Sequence, residues 1–174
     1  MSSPFLEYRG EPIPQEQVLG SGSTAVILLR NGVALKPPLR YLWSSDSDVE
    51  VNIQSVRREQ NVYRRLQSIT ADDRSKGIVS CTGFSAEATQ LAYMVNSDLR
   101  TYLTKCRPSH QLQLAWFREI AHTLCFIHDR RVLVADIATR NFLLDTDLSL
   151  KICDFSEASL LPLDSNMETV DDNG

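Results

Sequence analysis

The chain has 174 residues, 43% hydrophobic and 23% charged, with a formal net charge of -4; a chain of this length buries roughly 70% of its unfolded surface, enough for one domain or two small lobes sharing a cleft. The mild acidity gives no sign of broad nucleic-acid or anionic-membrane binding and leaves room for a local basic patch, no apolar run approaches the ~20 residues that span a bilayer, and the amino terminus carries no basic-then-apolar signal. Cys81, Cys106, Cys125 and Cys153 are widely spaced, without a Cys-x-x-Cys pair, which argues against a zinc or disulfide framework and for a reducing intracellular, cytoplasmic setting.

Residues 1–15 carry Pro4, Pro12 and Pro14 and are expected to run as an extended lead-in. Two apolar runs, Ala25 to Leu29 and Val33 to Leu35, flank Arg30-Asn31-Gly32. Asn-Gly is the favoured pair for a two-residue hairpin, because both positions need positive φ. Pro37-Pro38 then stops the second strand. The Ser- and Asp-rich stretch Tyr41 to Glu50 reads as a loop, with Asp48 or a neighbour capping the next helix. Over residues 51–67, Asn52, Val56, Glu59, Tyr63 and Leu66 share one helical face, while Arg57, Arg58, Arg64 and Arg65 fall largely elsewhere. Strands follow at 77–84 and 89–95, then a short helix from Asp98 to about Lys105. A longer helix over 111–128 carries the stripe Leu112, Trp116, Ile120, Leu124 and Ile127, and short strands come at 132–134, 142–144 and 149–152. Strands early and long helices late make an α+β pattern, without internal repeats.

Three groups of residues carry chemistry. The loop Leu19-Gly20-Ser21-Gly22 leads through Ala25 to Ile27. Its glycines let backbone N–H groups approach phosphate oxygens, although a hairpin turn without ligand has the same composition. Lys36 ends a strand, where a lysine is ordinarily a solvated charge. Glu59, on a face otherwise suited to packing, needs a cation, and Lys36 supplies one. Asp136 and Asn141 stand in a loop with four residues between them, and Asp154 follows an apolar strand thirteen residues later. An amide and an acid suit a hard divalent cation, because Mg²⁺ takes oxygen ligands from few side chains plus phosphates. A second acid can accept a hydroxyl proton.

With these motifs in order from Leu19 to Ser156, the sequence resembles the eukaryotic protein-kinase family, with a flavour similar to fungal protein-kinase-like domains. Leu19 to Ile27 resembles the glycine-rich loop, Val33-Ala34-Leu35-Lys36 the V-A-I-K strand, and Glu59 the glutamate of the family's αC helix. Leu91 to Asp98 resembles the hinge, Asp136 to Asn141 the catalytic loop, and Asp154-Phe155-Ser156 the D-F-G motif. The resemblance implies a bilobal protein-kinase-like fold. An antiparallel β amino-terminal lobe with one αC helix (15–95) joins an incomplete, mainly helical carboxyl-terminal lobe (96–174). It implies ATP and Mg²⁺ as cofactors and a protein as substrate. Asp136 would be the catalytic base, Asn141 and Asp154 the metal ligands, Lys36 the α/β-phosphate contact and Arg140 a γ-phosphate contact. Adenine would lie between Leu19, Ile27 and Ala34 on one side and Leu143 on the other, near gatekeeper Leu91 and the backbone of Ala92 and Met94. Gly20, Gly22 and Ala25 would cover the phosphates.

The departures from the family pattern matter. Val134-Ala135 replaces His-Arg before Asp136, which removes the arginine that receives a phosphorylated activation loop. Ser156 replaces the D-F-G glycine and restricts the backbone there. After Ser156 only eighteen residues remain, without an A-P-E motif, and the acidic end Asp171-Asp172-Asn173-Gly174 reads as a cut within the activation segment. The helix at 111–128 is therefore expected to leave its stripe of Leu, Trp and Ile exposed, a surface for aggregation or a partner. Two other functions compete: a nucleotide-binding pseudokinase or interaction module, and a small-molecule phosphotransferase using the same Asp-x4-Asn and later Asp.

Overall fold

The computed structural model describes residues 2–68 and 73–167, so the acidic end at 171–174 lies outside the described residues. They form two compact units. One holds the residues up to Asn61 with Ser80–Tyr93, the other those of 62–79 and from Met94 onward.

The first unit is built on an antiparallel five-stranded sheet. Its strands are β3 (Val18–Ser21), β4 (Val26–Arg30), β5 (Val33–Lys36), β6 (Cys81–Phe84) and β7 (Thr89–Ala92), in the order β3-β4-β5-β7-β6. Asn31 at φ 50° and Gly32 at φ 77° form the turn between β4 and β5, as the Asn-Gly pair predicts. Residues 1–15 are more than a lead-in. β1 (Ser2–Leu6) and β2 (Pro12–Pro14) pair antiparallel and bury Phe5 and Ile13 with Val26, Leu28 and Leu39. Proline is tolerated there because a two-stranded ribbon consists of edges and leaves many N–H groups unneeded.

Helix α1 (Asp46–Gln67) starts five residues before the expected 51. Its start is set by Ser45, whose hydroxyl accepts the Asp48 N–H at 3.2 Å and donates to the Asp48 carboxylate at 2.6 Å. Ser45, not Asp48, is therefore the capping residue. Val56, Glu59, Tyr63 and Leu66 are buried and Asn52 is half-buried, so the predicted face points inward. α1 contributes residues to both units.

In the second unit, α2 (Leu99–Lys105) and α3 (His110–Asp129) flank a hairpin of β9 (Phe142–Leu144) and β10 (Leu150–Ile152). α3 holds this hairpin through two polar contacts. The Trp116 indole donates to the Leu148 carbonyl at 2.8 Å, and the Glu119 carboxylate accepts the Leu150 N–H at 2.9 Å. The expected stripe is not left exposed: Trp116 and Ile127 are buried and Leu112, Ile120 and Leu124 half-buried, since α3 packs on the hairpin. Phe117, outside the stripe, is 70% exposed. Trp116, Phe117 and Ile120 line a groove of about 660 Å³ with Leu99 and Leu103. β8 (Val132–Leu133) pairs antiparallel with β11 (Ser159–Leu160), a strand that sequence pattern does not show.

α2 is capped by Asp98, whose carboxylate accepts the Thr101 N–H at 2.9 Å and hydroxyl at 2.6 Å. Burial opposes the charged form of Asp98, but the Thr101 hydroxyl and N–H outweigh it and hold the carboxyl below the usual aspartate value. A depressed acid contributes stability that is present above its unfolded-state pKa and lost as pH falls through the lower folded value. Asp98→Ala is expected to cost about 1 kcal/mol and Asp98→Asn a few tenths, measured by urea unfolding at neutral pH. Equal loss for both variants would show that the cap geometry is unimportant.

Candidate active site

The β9–β10 register explains how two distant polar residues meet. Ile152 faces Phe142, so Asn141 and Cys153 stand opposite each other just beyond the ladder. The Cys153 N–H donates to the Asn141 carbonyl at 2.9 Å, which fixes the backbone before Asp154 against the residue after Arg140. Buried Phe142, Leu144, Leu150 and Ile152 hold the register, because a one-residue slip would turn that face to water.

Asn141 is itself buried, and its amide nitrogen donates to the Asp136 carbonyl oxygen at 3.0 Å and to Asp136 Oδ2 at 2.9 Å. Its side-chain oxygen remains the group suited to a cation. Arg140 Nη2 donates to the same Asp136 Oδ2 at 2.6 Å. The loop thus brings Asp136, Arg140 and Asn141 into one hydrogen-bonded group, with the Asp136 side chain 37% exposed. Val134, where the family has histidine, is buried, and Ala135, where it has arginine, is exposed.

Asp154 has φ 64°, in the left-handed region that Asp visits more readily than most residues. Its Oδ1 accepts the Ser156 N–H at 3.2 Å. The next side chain, Phe155, is fully buried and meets Tyr63 edge to face at 5.2 Å. Burying one such ring contributes ~1.5–3 kcal/mol, enough to offset the backbone conformation at Asp154. Ser156 is not among the positive-φ residues. The backbone demand falls on Asp154, and serine fits the place of glycine.

In the first unit, Lys36 Nζ donates to Glu59 Oε1 at 2.9 Å, with side chains 7% and 0% exposed. Ala34 and Leu91 are opposite residues on β5 and β7, and both are buried. Leu19 is exposed and Ile27 half-buried. Ala92 ends β7, whereas Met94 and Leu143 belong to the second unit. In the glycine loop, the Gly22 N–H donates to the Ala25 carbonyl at 2.8 Å. Neither Gly20 nor Gly22 has positive φ. A Cβ at Gly20 would meet nothing within 4 Å, and one at Gly22 only the Ala25 carbonyl at 3.9 Å. The first unit therefore does not need glycine at these positions for its own packing.

The chain matches the protein kinase domain model over residues 15–172. It belongs to the protein kinase family. A probable receptor-like protein kinase of Arabidopsis thaliana is 27% identical over an alignment of 182 positions that covers 94% of this chain and 34% of that protein. A serine/threonine-protein kinase of Caenorhabditis briggsae is 28% identical over 117 residues, covering 64% of this chain and 23% of its own. A second one from that nematode is 38% identical over 65 residues, 35% of this chain and 10% of that protein. The chain thus spans about a third or less of the length of these relatives. The antiparallel sheet and the buried Lys36–Glu59 pair agree with this membership. Among the described residues no helix is long and apolar enough to cross a membrane.

The residues that sequence reasoning missed are those that position others. Cys153 acts through its backbone, and Glu119 and Trp116 act on a hairpin turn about thirty residues away. Local pattern carries no signal for such contacts.

Proposed function

We propose that this kinase domain binds ATP with Mg²⁺ and transfers the γ-phosphoryl group to a protein hydroxyl. The observation that carries the reading is the joining of Asp136, Arg140 and Asn141 in one hydrogen-bonded loop that is tied to Cys153, next to Asp154. From the first unit, Gly20, Gly22 and Ala25 would cover the phosphates and Lys36 would contact them. Leu19, Ile27, Ala34, Leu91 and Ala92 would meet adenine. The second unit would add Met94 and Leu143 to the adenine contacts.

Among the described residues no group of three or more His, Cys, Asp or Glu gathers for a metal. Mg²⁺ requires no such group, because it is held by one or two side-chain oxygens together with phosphates and water. Asn141 Oδ1 and the Asp154 carboxylate are the oxygen donors that would hold it. Bound there, the ion would neutralise phosphate charge as the β–γ bond breaks. Asp136 would orient the attacking hydroxyl and accept its proton. Arg140 reaches Asp136 as an exposed pair four residues apart, an interaction worth about 0–1 kcal/mol. Moving its guanidinium to a phosphate would therefore cost little.

Thermal unfolding with ATP and Mg²⁺ tests the reading. Ligand at 100 times Kd should add about 2.7 kcal/mol, and Asp154→Ala should remove the Mg²⁺-dependent part. Absence of stabilisation in the unmutated chain would overturn it. Stabilisation without transfer to any protein would favour the pseudokinase reading, which the Val134-Ala135 replacement motivates.

A further inference from the structure

Ala135 leaves the position before Asp136 without a guanidinium, yet the segment after Phe155 is held by one from another element. Arg65, in the last turn of α1, donates through Nη1 to the Leu161 carbonyl at 3.1 Å and the Arg130 carbonyl at 3.3 Å. Arg130 lies two residues before β8 and Leu161 immediately follows β11. Leu161 returns its own N–H to the Arg131 carbonyl at 2.8 Å. One cation therefore closes the end of a ladder only two residues long, and so short a ribbon is marginal unaided.

The same helix grips the segment at a second point, where Tyr63 packs edge to face on Phe155. Two residues of one helical turn thus hold positions 155 and 161, and Asp154, with its left-handed backbone, directly precedes the stretch they fix. A guanidinium is suited to this task. Its hydrogen bonds to carbonyl oxygens are charge-assisted, and its planar fork of donors can reach two acceptors at once.

We propose that Arg65 is a positioning residue that clamps the segment from Asp154 to Leu161 onto α1, so that Asp154 is held without a phosphate on that segment. The functional half of this inference rests on the ATP and Mg²⁺ reading above. The structural half does not.

Amide hydrogen exchange and nucleotide affinity in the intact protein test it together. Arg65→Met should speed exchange across 156–161 about tenfold and leave α3 unchanged. It should weaken ATP binding with Mg²⁺ more than without it. Arg65→Lys, which can still bridge two carbonyls, should restore both readouts. Arg57→Met, on the exposed side of α1, should change neither. Phosphatase treatment of the unmutated protein should leave 156–161 protected. Unchanged exchange in Arg65→Met, or loss of protection on phosphatase treatment, would overturn the clamp. Equal faster exchange in α3 and the segment, with an unaltered Mg²⁺ effect, would overturn it as well. Should Arg65→Met fail to fold, Arg65→Gln carries the same test with a neutral donor. If the unmutated protein binds no ATP, the nucleotide reading fails while the exchange contrast still decides the clamp.

Discussion

Asp136→Asn is expected to lower kcat for phosphoryl transfer by about 10²–10⁴-fold while ATP affinity stays within about twofold. The substitution keeps the shape of the side chain and one carbonyl oxygen. That oxygen can still accept from Arg140 and Asn141, the two donors now on Oδ2. The loop geometry and its link to Cys153 should therefore survive, and only basicity and charge are lost. The split between kcat and nucleotide binding is the informative part, because a damaged fold would weaken both. An Asp136→Asn protein with undiminished kcat would remove Asp136 from the chemistry. The pseudokinase reading would be favoured if the unmutated protein also transferred no phosphoryl group while binding ATP.

What the sequence makes legible is what local chemistry decides. Asn31-Gly32 forms its turn because two positive φ values are cheap there, and Asp98 caps α2 through its own neighbour Thr101. The Glu59 face is legible because an acid amid packing residues demands a cation, and Lys36 is the one that answers. The order of the site residues along the chain is legible from the family pattern. Contacts made at long range are not. β11 is two residues without periodicity and exists only through its pairing with β8. The amino-terminal ribbon hides behind prolines that break most strands but not a two-stranded one. Arg65 falls off the packing face when α1 is considered alone, because its acceptors lie 65 and 96 residues further along. The same reasoning separates Ser156 from Asp154: sequence flags the lost glycine, while the backbone places the left-handed residue two positions earlier.

The second large effect concerns the Lys36–Glu59 pair, whose value should lie in function more than in stability. Both side chains are buried, and charges taken from water are repaid by mutual attraction only when the geometry is good. Lys36→Met leaves the Glu59 carboxylate without its ammonium and is expected to cost roughly 3–5 kcal/mol. For a chain of this size that lowers Tm by roughly 6–20 °C. Lys36→Met with Glu59→Leu removes both charges at similar volume and is expected to come within about 1 kcal/mol of the unmutated protein. The restored fold should nevertheless remain deficient in ATP binding with Mg²⁺, if the Lys36 ammonium contacts phosphate as proposed. Calorimetric unfolding and nucleotide titration of the four proteins in the cycle separate the two roles. Additive losses in the double variant would show that the two groups are not energetically coupled. Full ATP affinity in the double variant would show that the ammonium does not contact nucleotide.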